Sequence, residues 1–369
     1  MMRILISAGG TGGHITGAVD LTECINSGQY LRAATNFLTT RNSRFAAMLE
    51  AKHINYSSLP LTSRAPLLSF RFLSFSLNFF RSIISSVVIL RRFKPDVIVA
   101  FGSYASLPVV IANILLARPA RLILHEQNMT PGQANQKLAL FADKVAGSFE
   151  KTLSYFKEKG VYTGNPRRLC LDKIDRRDAL AFFGFDGKKP IVLIQGGSQG
   201  ASFINKFSRE AVKELYEKSG GSLQVIHISG EGDYQEVKEA YKHIDSSSLK
   251  VFDFLENMAY AYKVADIALS RAGATSIYEL IEARVPAVLV PYPYARAHQL
   301  QNALYLVNHE AAILYEQDKA DKSEMINRLN ELIVNKNRRD KIKRQLEDIK
   351  LPDSCRLLSG LILTLTDNS

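Results

Sequence analysis

Short runs of consecutive apolar residues recur along the chain, each closed by a glycine-rich or polar turn and followed by an amphipathic stretch. In the first half the runs are Arg3-Ile-Leu-Ile-Ser-Ala8, Asp96-Val-Ile-Val-Ala-Phe101, Leu122-Ile-Leu124 and Lys144-Val-Ala-Gly-Ser148. In the second half they fall at 191–195, 223–228, 249–252, 265–269 and 287–290. Unbroken apolar runs of this length read as strands buried on both faces, because a strand with one wet face alternates instead. Helical spacing of apolar positions predicts helices over 17–27, 203–217, 233–243, 257–263, 275–283 and 298–308, and 30–39 reads as a helix–strand segment. Residues 321–350 read as amphipathic, strongly charged helix, and Cys355 to Thr366 as an apolar helix that must bury a face. Strand–helix alternation throughout predicts an α/β chain with parallel sheets covered on both sides.

Two turns stand apart from the rest. Gly9-Gly-Thr-Gly-Gly-His14 follows the first strand, and Gln195-Gly-Gly-Ser-Gln-Gly-Ala-Ser202 follows the strand at 191–195. Glycine lets the backbone turn tightly and approach a ligand closely. The first-turn amides of the next helix lack internal partners, and its dipole adds about half a positive charge there. Such a turn suits a phosphate, although it can also do no more than close a tight corner. The second copy favours the ligand reading. At 369 residues the chain is long for one domain. Gly164-Asn-Pro-Arg-Arg168 punctuates it between the copies. Two Rossmann-like domains are expected, 1–163 and 164–350, whose phosphate-type turns face a shared cleft, with a helix over 353–369 packing back on the first.

The formal charge of +11 and a pI near 9.4 call for a polyanionic partner, nucleic acid or an anionic membrane. No nucleic-acid module pattern is present, so no nucleic-acid partner is expected. The membrane reading has a carrier in residues 64–92, where Leu67, Leu68, Phe70, Phe72, Leu73, Phe75 and Phe79 are mixed with Arg64, Arg71 and Arg81. The arginines make it a poor transmembrane helix, but the mixture suits a segment lying at a lipid interface. Leu68, Phe72, Phe75 and Phe79 are the expected lipid contacts, while Ile83 to Leu90 is expected to pack on the sheet. The competing reading packs the whole helix on the sheet with an arginine-bearing outer face. Cys24, Cys170 and Cys355 show neither metal-ligand spacing nor a disulfide framework, which favours a reducing cytosol. Met1-Met2-Arg3 leads straight into the first strand, so no signal peptide is read.

Ligands of open α/β sheets bind beyond the carboxyl ends of the strands. His125-Glu126-Gln127-Asn128 occupy such an end. In the second half three turns share one rim: Gly196 to Gly200, Ser270-Arg271-Ala272-Gly273 entering a helix that bears Glu279, and Pro291-Tyr-Pro-Tyr294 before His298-Gln299-Leu-Gln-Asn302. Glu279 is placed to accept two ribose hydroxyls, against the alternative of a solvated helix glutamate. Arg271 offers a fork of donors for phosphate, or caps a carboxylate. His14, His125 and His298 are isolated and no carboxylates pair at ligand spacing, so no metal or other cofactor is expected. No serine-centred nucleophile elbow occurs either.

Gly9-Gly-Thr-Gly-Gly-His14, His125-Glu-Gln-Asn128, Gly164-Asn-Pro166, Gly196-Gly-Ser-Gln-Gly200, Ser270-Arg-Ala-Gly273 with Glu279, and His298-Gln299 before Asn302-Ala303 follow one another in a specific order. In that order the sequence resembles the MurG family of bacterial peptidoglycan N-acetylglucosaminyltransferases, over residues 1–310. The resemblance implies a GT-B fold and inversion at the sugar carbon, with UDP-N-acetylglucosamine as donor. The implied acceptor is lipid I, a lipid-linked muramyl-pentapeptide, converted to lipid II at the cytoplasmic face of the inner membrane, with other cell-wall enzymes as further partners. Carried onto this sequence, Ser198 and Gln199 would contact the diphosphate. Arg271, Ala272 and Gly273 would lie beside the nucleotide, Glu279 would hold the ribose, and His298 and Gln299 would reach the sugar hydroxyls. Thr11, Gly12, Gly13, Asn128 and Arg168 would complete the donor contacts. Gly9, Gly10, Gly102 and Tyr104 would bind the acceptor pyrophosphate, and His14 or Glu126 would deprotonate the acceptor hydroxyl. The sequence departs from the family pattern in reading Thr16-Gly17 after His14, and in carrying Ser103 and Leu107 where the acceptor turn has glycines. A UDP-sugar 2-epimerase of the same fold and a non-catalytic UDP-sugar-binding membrane adaptor are the rival readings. The apolar stretch over 66–80 speaks against the first, and the intact His14 and Glu126 against the second.

Overall fold

A computed structural model of the chain describes residues 1–9, 12–41, 43–61, 70–102, 104–167, 169–197, 200–294, 298–319 and 321–367, without the side chains of 43, 44 and 70–72. The chain divides into two compact units, Met1–Arg167 with Pro352–Ser369, and Arg168–Leu351. The boundary lies just past Gly164-Asn-Pro166, because these residues are tied into the first unit. The Gly164 carbonyl accepts from His125 Nε2 at 3.0 Å, and Arg167 pairs with Asp20 at 3.0 Å.

Among the described residues the first unit has seven parallel strands: β1 (Arg3–Ser7), β2 (Ala34–Thr40), β3 (Tyr56–Leu59), β4 (Val97–Ala100), β5 (Arg121–Glu126), β6 (Lys144–Gly147) and β7 (Gly160–Tyr162). Their order is β3-β2-β1-β4-β5-β6-β7. Its helices are α1 (Gly12–Ser27), α2 (Ser43–Ala51), α3 (Phe70–Phe93), α4 (Leu107–Ile114), α5 (Gln133–Leu138) and α6 (Glu150–Leu153). One face of the sheet packs Ile4, Ile6, Val97 and Val99 against Ile15, Val19 and Ile25 of α1. The other packs Leu5, Ile98, Leu122 and Leu124 against Leu90 of α3, Val109 of α4 and Leu138 of α5. Burial on both faces is why these strands read as unbroken apolar runs.

The second unit repeats the scheme with β8 (Ile191–Gln195), β9 (Gln224–Ile228), β10 (Leu249–Phe252), β11 (Ile267–Ser270), β12 (Ala287–Leu289) and β13 (Ile313–Leu314), in the order β10-β9-β8-β11-β12-β13. Its helices are α7 (Arg176–Phe183), α8 (Ser202–Lys218), α9 (Tyr234–Ala240), α10 (Met258–Val264), α11 (Ala274–Ala283), α12 (His298–Asn308), α13 (Lys322–Val334) and α14 (Lys336–Asp348). The last helix, α15 (Ser354–Asp367), belongs to the first unit and buries Leu358 and Ile362 beside α1.

Two expectations are corrected. Residues 321–350 form two helices, not one, because Asn335 leaves helical geometry (φ −98, ψ 90) and caps α14 by accepting from the Arg338 amide at 3.0 Å. Over 30–39 the described structure is β2 alone, preceded by no helix.

Candidate active site

In each sheet the strand order reverses beside the first strand, between β1 and β4 and between β8 and β11. The diverging turns there leave a crevice at the strands' carboxyl ends. All the singled-out turns described fall at or next to these two points.

In the first unit Gly9 ends the β1 turn pressed on the turn after β4. A Cβ at Gly9 would stand 2.6 Å from Ala105 Cβ, so only glycine permits the approach. Gly12, Gly13 and His14 form the first turn of α1, and Gln127 Nε2 donates to the Gly13 carbonyl at 3.1 Å. His14 is half-buried, and burial lowers its pKa to about 4, so the imidazole is neutral at working pH. His125 is fully buried, stacked on Phe101 at 4.7 Å, and donates from Nε2 to Gly164, leaving Nδ1 without the proton.

Glu126 is 2% exposed and its carboxylate is fully engaged. Oε1 accepts from the Asn128 amide (2.9 Å) and Nδ2 (3.2 Å); Oε2 accepts from the Gly132 amide (2.9 Å) and Asn135 Nδ2 (2.9 Å). Burial pushes its pKa up, while these four N–H donors pull it back. The geometry therefore gives Glu126, with Asn128, the work of folding the loop after β5. Gly102 packs against Asn135, and Tyr104 is stacked on Phe75 (5.4 Å) and Phe79 (5.9 Å) of α3.

In the second unit Gly196, Gly197 and Gly200 turn the chain from β8 into α8. Gly200 has φ +76, and its Cα abuts the Ser229 carbonyl so closely that a Cβ would lie 2.2 Å from that oxygen. The cap position of α8 is Ala201, which offers no side-chain oxygen to the first-turn amides. Glu279 is 6% exposed and accepts from the Tyr262 hydroxyl at 3.1 Å, which overturns the solvated-helix alternative. Gln195 Nε2 reaches the same hydroxyl at 2.5 Å and Ser270 Oγ at 3.2 Å, joining the ends of β8 and β11 to α11.

Arg271 is 6% exposed between the rings of Phe203 (6.0 Å) and Tyr292 (5.4 Å). Its Nη1 donates to the carbonyls of Val290 (3.0 Å) and Pro291 (3.2 Å), and its Nη2 to Gln317 Oε1 (3.0 Å). Two of its bonds thus hold the turn after β12 and the third ties it to the segment after β13, so it shapes the rim from inside, and among the described residues it caps no carboxylate. Gly273 caps α11, and the buried Ala272 accepts from Asn302 Nδ2 at 3.2 Å. His298 opens α12 half-buried, while Gln299 Oε1 accepts from the Tyr292 amide at 3.0 Å.

Gly10, Thr11, Arg168, Ser198, Gln199 and Leu68 lie outside the described residues, as does the side chain of Phe72. Phe75 and Phe79 are half-buried on the inner face of α3 against Tyr104, so they are not its open lipid-facing positions. Sequence reasoning passed over Gln195, Tyr262 and Asn135. Nothing in their immediate sequence marks them, because their roles come from partners that folding brings beside them. Among the described residues no three His, Cys, Asp or Glu side chains converge as a metal would require.

Comparison with known proteins agrees on the assignment. Residues 4–147 match the glycosyltransferase family 28 N-terminal domain, and residues 191–353 match the glycosyltransferase family 28 C-terminal domain. The chain is 33% identical over 370 residues, covering 99% of itself and 100% of the relative, to the UDP-N-acetylglucosamine--N-acetylmuramyl-(pentapeptide) pyrophosphoryl-undecaprenol N-acetylglucosamine transferase of Bacillus pumilus. The crystal structure of Acinetobacter baumannii MurG superposes with TM-score 0.72 at 24% identity, covering 99% of this chain and 100% of that one. A putative UDP-N-acetylglucosamine 2-epimerase from Listeria monocytogenes also reaches 0.72, at 13% identity, over 98% of this chain and 94% of that one. The two doubly wound units are therefore the halves of a GT-B fold, a frame both chemistries share, and the full-length sequence relationship separates them. The chain belongs to glycosyltransferase family 28.

Proposed function

We propose that the protein transfers N-acetylglucosamine from UDP-N-acetylglucosamine to undecaprenyl-pyrophosphoryl N-acetylmuramyl-pentapeptide, converting lipid I to lipid II. The observation that carries this reading is the 33% identity to a transferase of that name over the full length of both chains. The second unit supplies the donor half, with the Gly196–Gly200 turn for the diphosphate and Glu279 for the ribose. The first unit supplies the acceptor half and the base, His14. The acceptor hydroxyl attacks the anomeric carbon as UDP leaves, and the α8 N-terminus stabilises the diphosphate where its charge develops. The reading needs no metal. Incubation with labelled UDP-N-acetylglucosamine and a lipid I analogue in EDTA-containing buffer tests it. Labelled lipid II supports it; release of a free 2-epimerised sugar with no lipid product sinks it.

Glu279→Ala is expected to weaken UDP binding by about 1.5–3 kcal/mol, the loss of charge-assisted bonds to a diol. Calorimetry measures it beside Tyr262→Phe, which removes the hydroxyl's internal bonds to Glu279 and Gln195 but leaves the carboxylate in place, and should change affinity by less than about 1 kcal/mol. Equal affinities for the Glu279 variant and the parent would remove this carboxylate from the nucleotide site.

A lipid-bound acceptor requires docking at the membrane, and α3 supports that. Leu73, Leu77, Phe80, Ile84 and Val88 recur at helical spacing on one face and are all exposed, Leu73 by 76%. Its opposite face packs through Leu90 and Phe79 on the sheet core. The outer face is thus apolar well past Phe80, where the sequence suggested arginines or a buried helix. By length and composition α3 could cross a membrane, but its packed inner face favours lying in the interface as a peripheral anchor. On the same side of the sheet Leu115, Leu140 and Phe141 are exposed as well. Leu77→Asp combined with Phe80→Asp is expected to abolish sedimentation with anionic vesicles while turnover on a water-soluble short-chain acceptor survives, since each side chain contributes about 1.5–3 kcal/mol of burial. Undiminished vesicle binding would show that this face docks elsewhere.

A further inference from the structure

Behind the Gly196–Gly200 turn runs a buried polar chain that the residues above do not use. His227, the fourth residue of β9, is 0% exposed. Its Nε2 lies 3.0 Å from Asn205 Oδ1 and its Nδ1 3.1 Å from the Tyr241 hydroxyl. Asn205, in the first turn of α8, donates from Nδ2 to the Ser229 carbonyl (2.8 Å) and to Asp233 Oδ2 (2.7 Å). Two oxygens facing the amide nitrogen fix its orientation, so Oδ1 must face His227. Nε2 therefore carries the proton, and Nδ1 accepts from Tyr241. Every polar atom of the Tyr241–His227–Asn205 run is paired, and a satisfied buried network of this kind is rigid. It ends on the Ser229 carbonyl, the group against which Gly200 is pressed. One oxygen thus meets both the last residue of the glycine turn and the first turn of α8.

We infer that His227 and Asn205 are positioning residues for the donor, holding the Gly200 end of the turn and the first-turn amides of α8 in the geometry a diphosphate requires. The inference rests on the reading that this turn receives the diphosphate of a UDP-sugar. Amide–phosphate bonds are directional, so a turn free to shift by a fraction of an ångström binds the anion less well. The network lies within the second unit, whereas the proposed function gives the acceptor to the first, so acceptor binding should not depend on it.

His227→Phe fills the ring's volume but deprives Asn205 of its partner, whereas His227→Gln returns an N–H to about the place of Nε2. Calorimetric titration with UDP and steady-state transfer kinetics are read together. His227→Phe is expected to raise the UDP Kd and the donor KM about tenfold, the equivalent of one lost buried hydrogen bond. Its kcat at saturating donor and its acceptor KM should stay within about threefold of the parent, and His227→Gln should stay within about threefold throughout. Asn205→Asp is the second probe, in case the phenylalanine variant does not fold. It still accepts from His227 but loses both donations, and should weaken UDP binding as much. Loss of kcat with unchanged donor affinity, or an equal loss in the Phe and Gln variants, overturns the inference. If the parent itself fails to bind UDP, the donor reading falls and takes this inference with it; if the parent binds and all variants bind equally, the inference alone falls.

Discussion

Replacing His14 with alanine is expected to lower kcat by about 10²–10⁴ while leaving UDP affinity within about twofold of the parent. The imidazole sits in the first turn of α1, directly after the glycine turn, and burial holds it neutral down to about pH 4. A neutral imidazole can take a proton, and an anionic pyrophosphate bound on the adjoining turn raises its basicity toward the working pH. The sign of the pH effect follows. The base form prevails above the lowered pKa, so the acidic limb of kcat/KM should fall between pH 4 and 6.5, below the range of an ordinary histidine. Glu126→Gln supplies the contrast. An amide NH₂ in place of one carboxylate oxygen would face N–H donors, so this variant should lose stability, with activity falling only as far as folding does. A mild effect at His14 with a large loss of kcat in a well-folded Glu126→Gln protein would transfer the proton to the carboxylate.

Acidification from pH 7 to 4.5 is expected to destabilise the second unit by about 2.5 kcal/mol through one buried histidine, and the first by that amount through His125 with a further contribution from His14, a large part of the 5–15 kcal/mol typical of a folded domain. His125 in the first unit and His227 in the second are fully buried, and burial lowers their pKa values to about 4 and about 3. In the unfolded chain each titrates near 6.5. Between those values the unfolded state binds the extra proton, so the contribution is complete above pH 6.5 and disappears as pH falls toward the folded pKa. Urea unfolding midpoints at pH 7, 5.5 and 4.5 measure this, and His227→Gln should flatten the dependence of the second unit alone. A parent whose midpoints do not move over that range would show that the two imidazoles are not held neutral by the fold.

Local physical demands made much of the molecule legible from its residues. Apolar runs such as Ile191–Ile194 and Val97–Ala100 signal strands covered on both faces, because only a sheet with helices on either side removes every side chain from water. Glycines at 9, 196 and 200 mark turns where the backbone must come closer than a Cβ permits. These turns then lie at the two points where strand order reverses, so the candidate residues could be found before any contact was known. What the tertiary structure alone decided depends on which groups folding brings into contact. Glu126 reads as an open carboxylate at a strand end until the Asn128, Gly132 and Asn135 donors are seen to occupy it. Glu279 reads as a ribose ligand or a solvated helix glutamate until its burial beside Tyr262 removes the second, and Arg271 as a fork for phosphate or a cap for a carboxylate until Val290, Pro291 and Gln317 are found on it. The face that α3 leaves open depends on which residues the sheet and Tyr104 claim, and Phe75 and Phe79 went inward while Leu73, Leu77 and Phe80 stayed out. Periodicity and backbone conformation are properties of neighbours along the chain, and sequence carries them. Hydrogen-bond valence and burial are settled between groups that lie from a few to more than a hundred residues apart, and only folding brings those together.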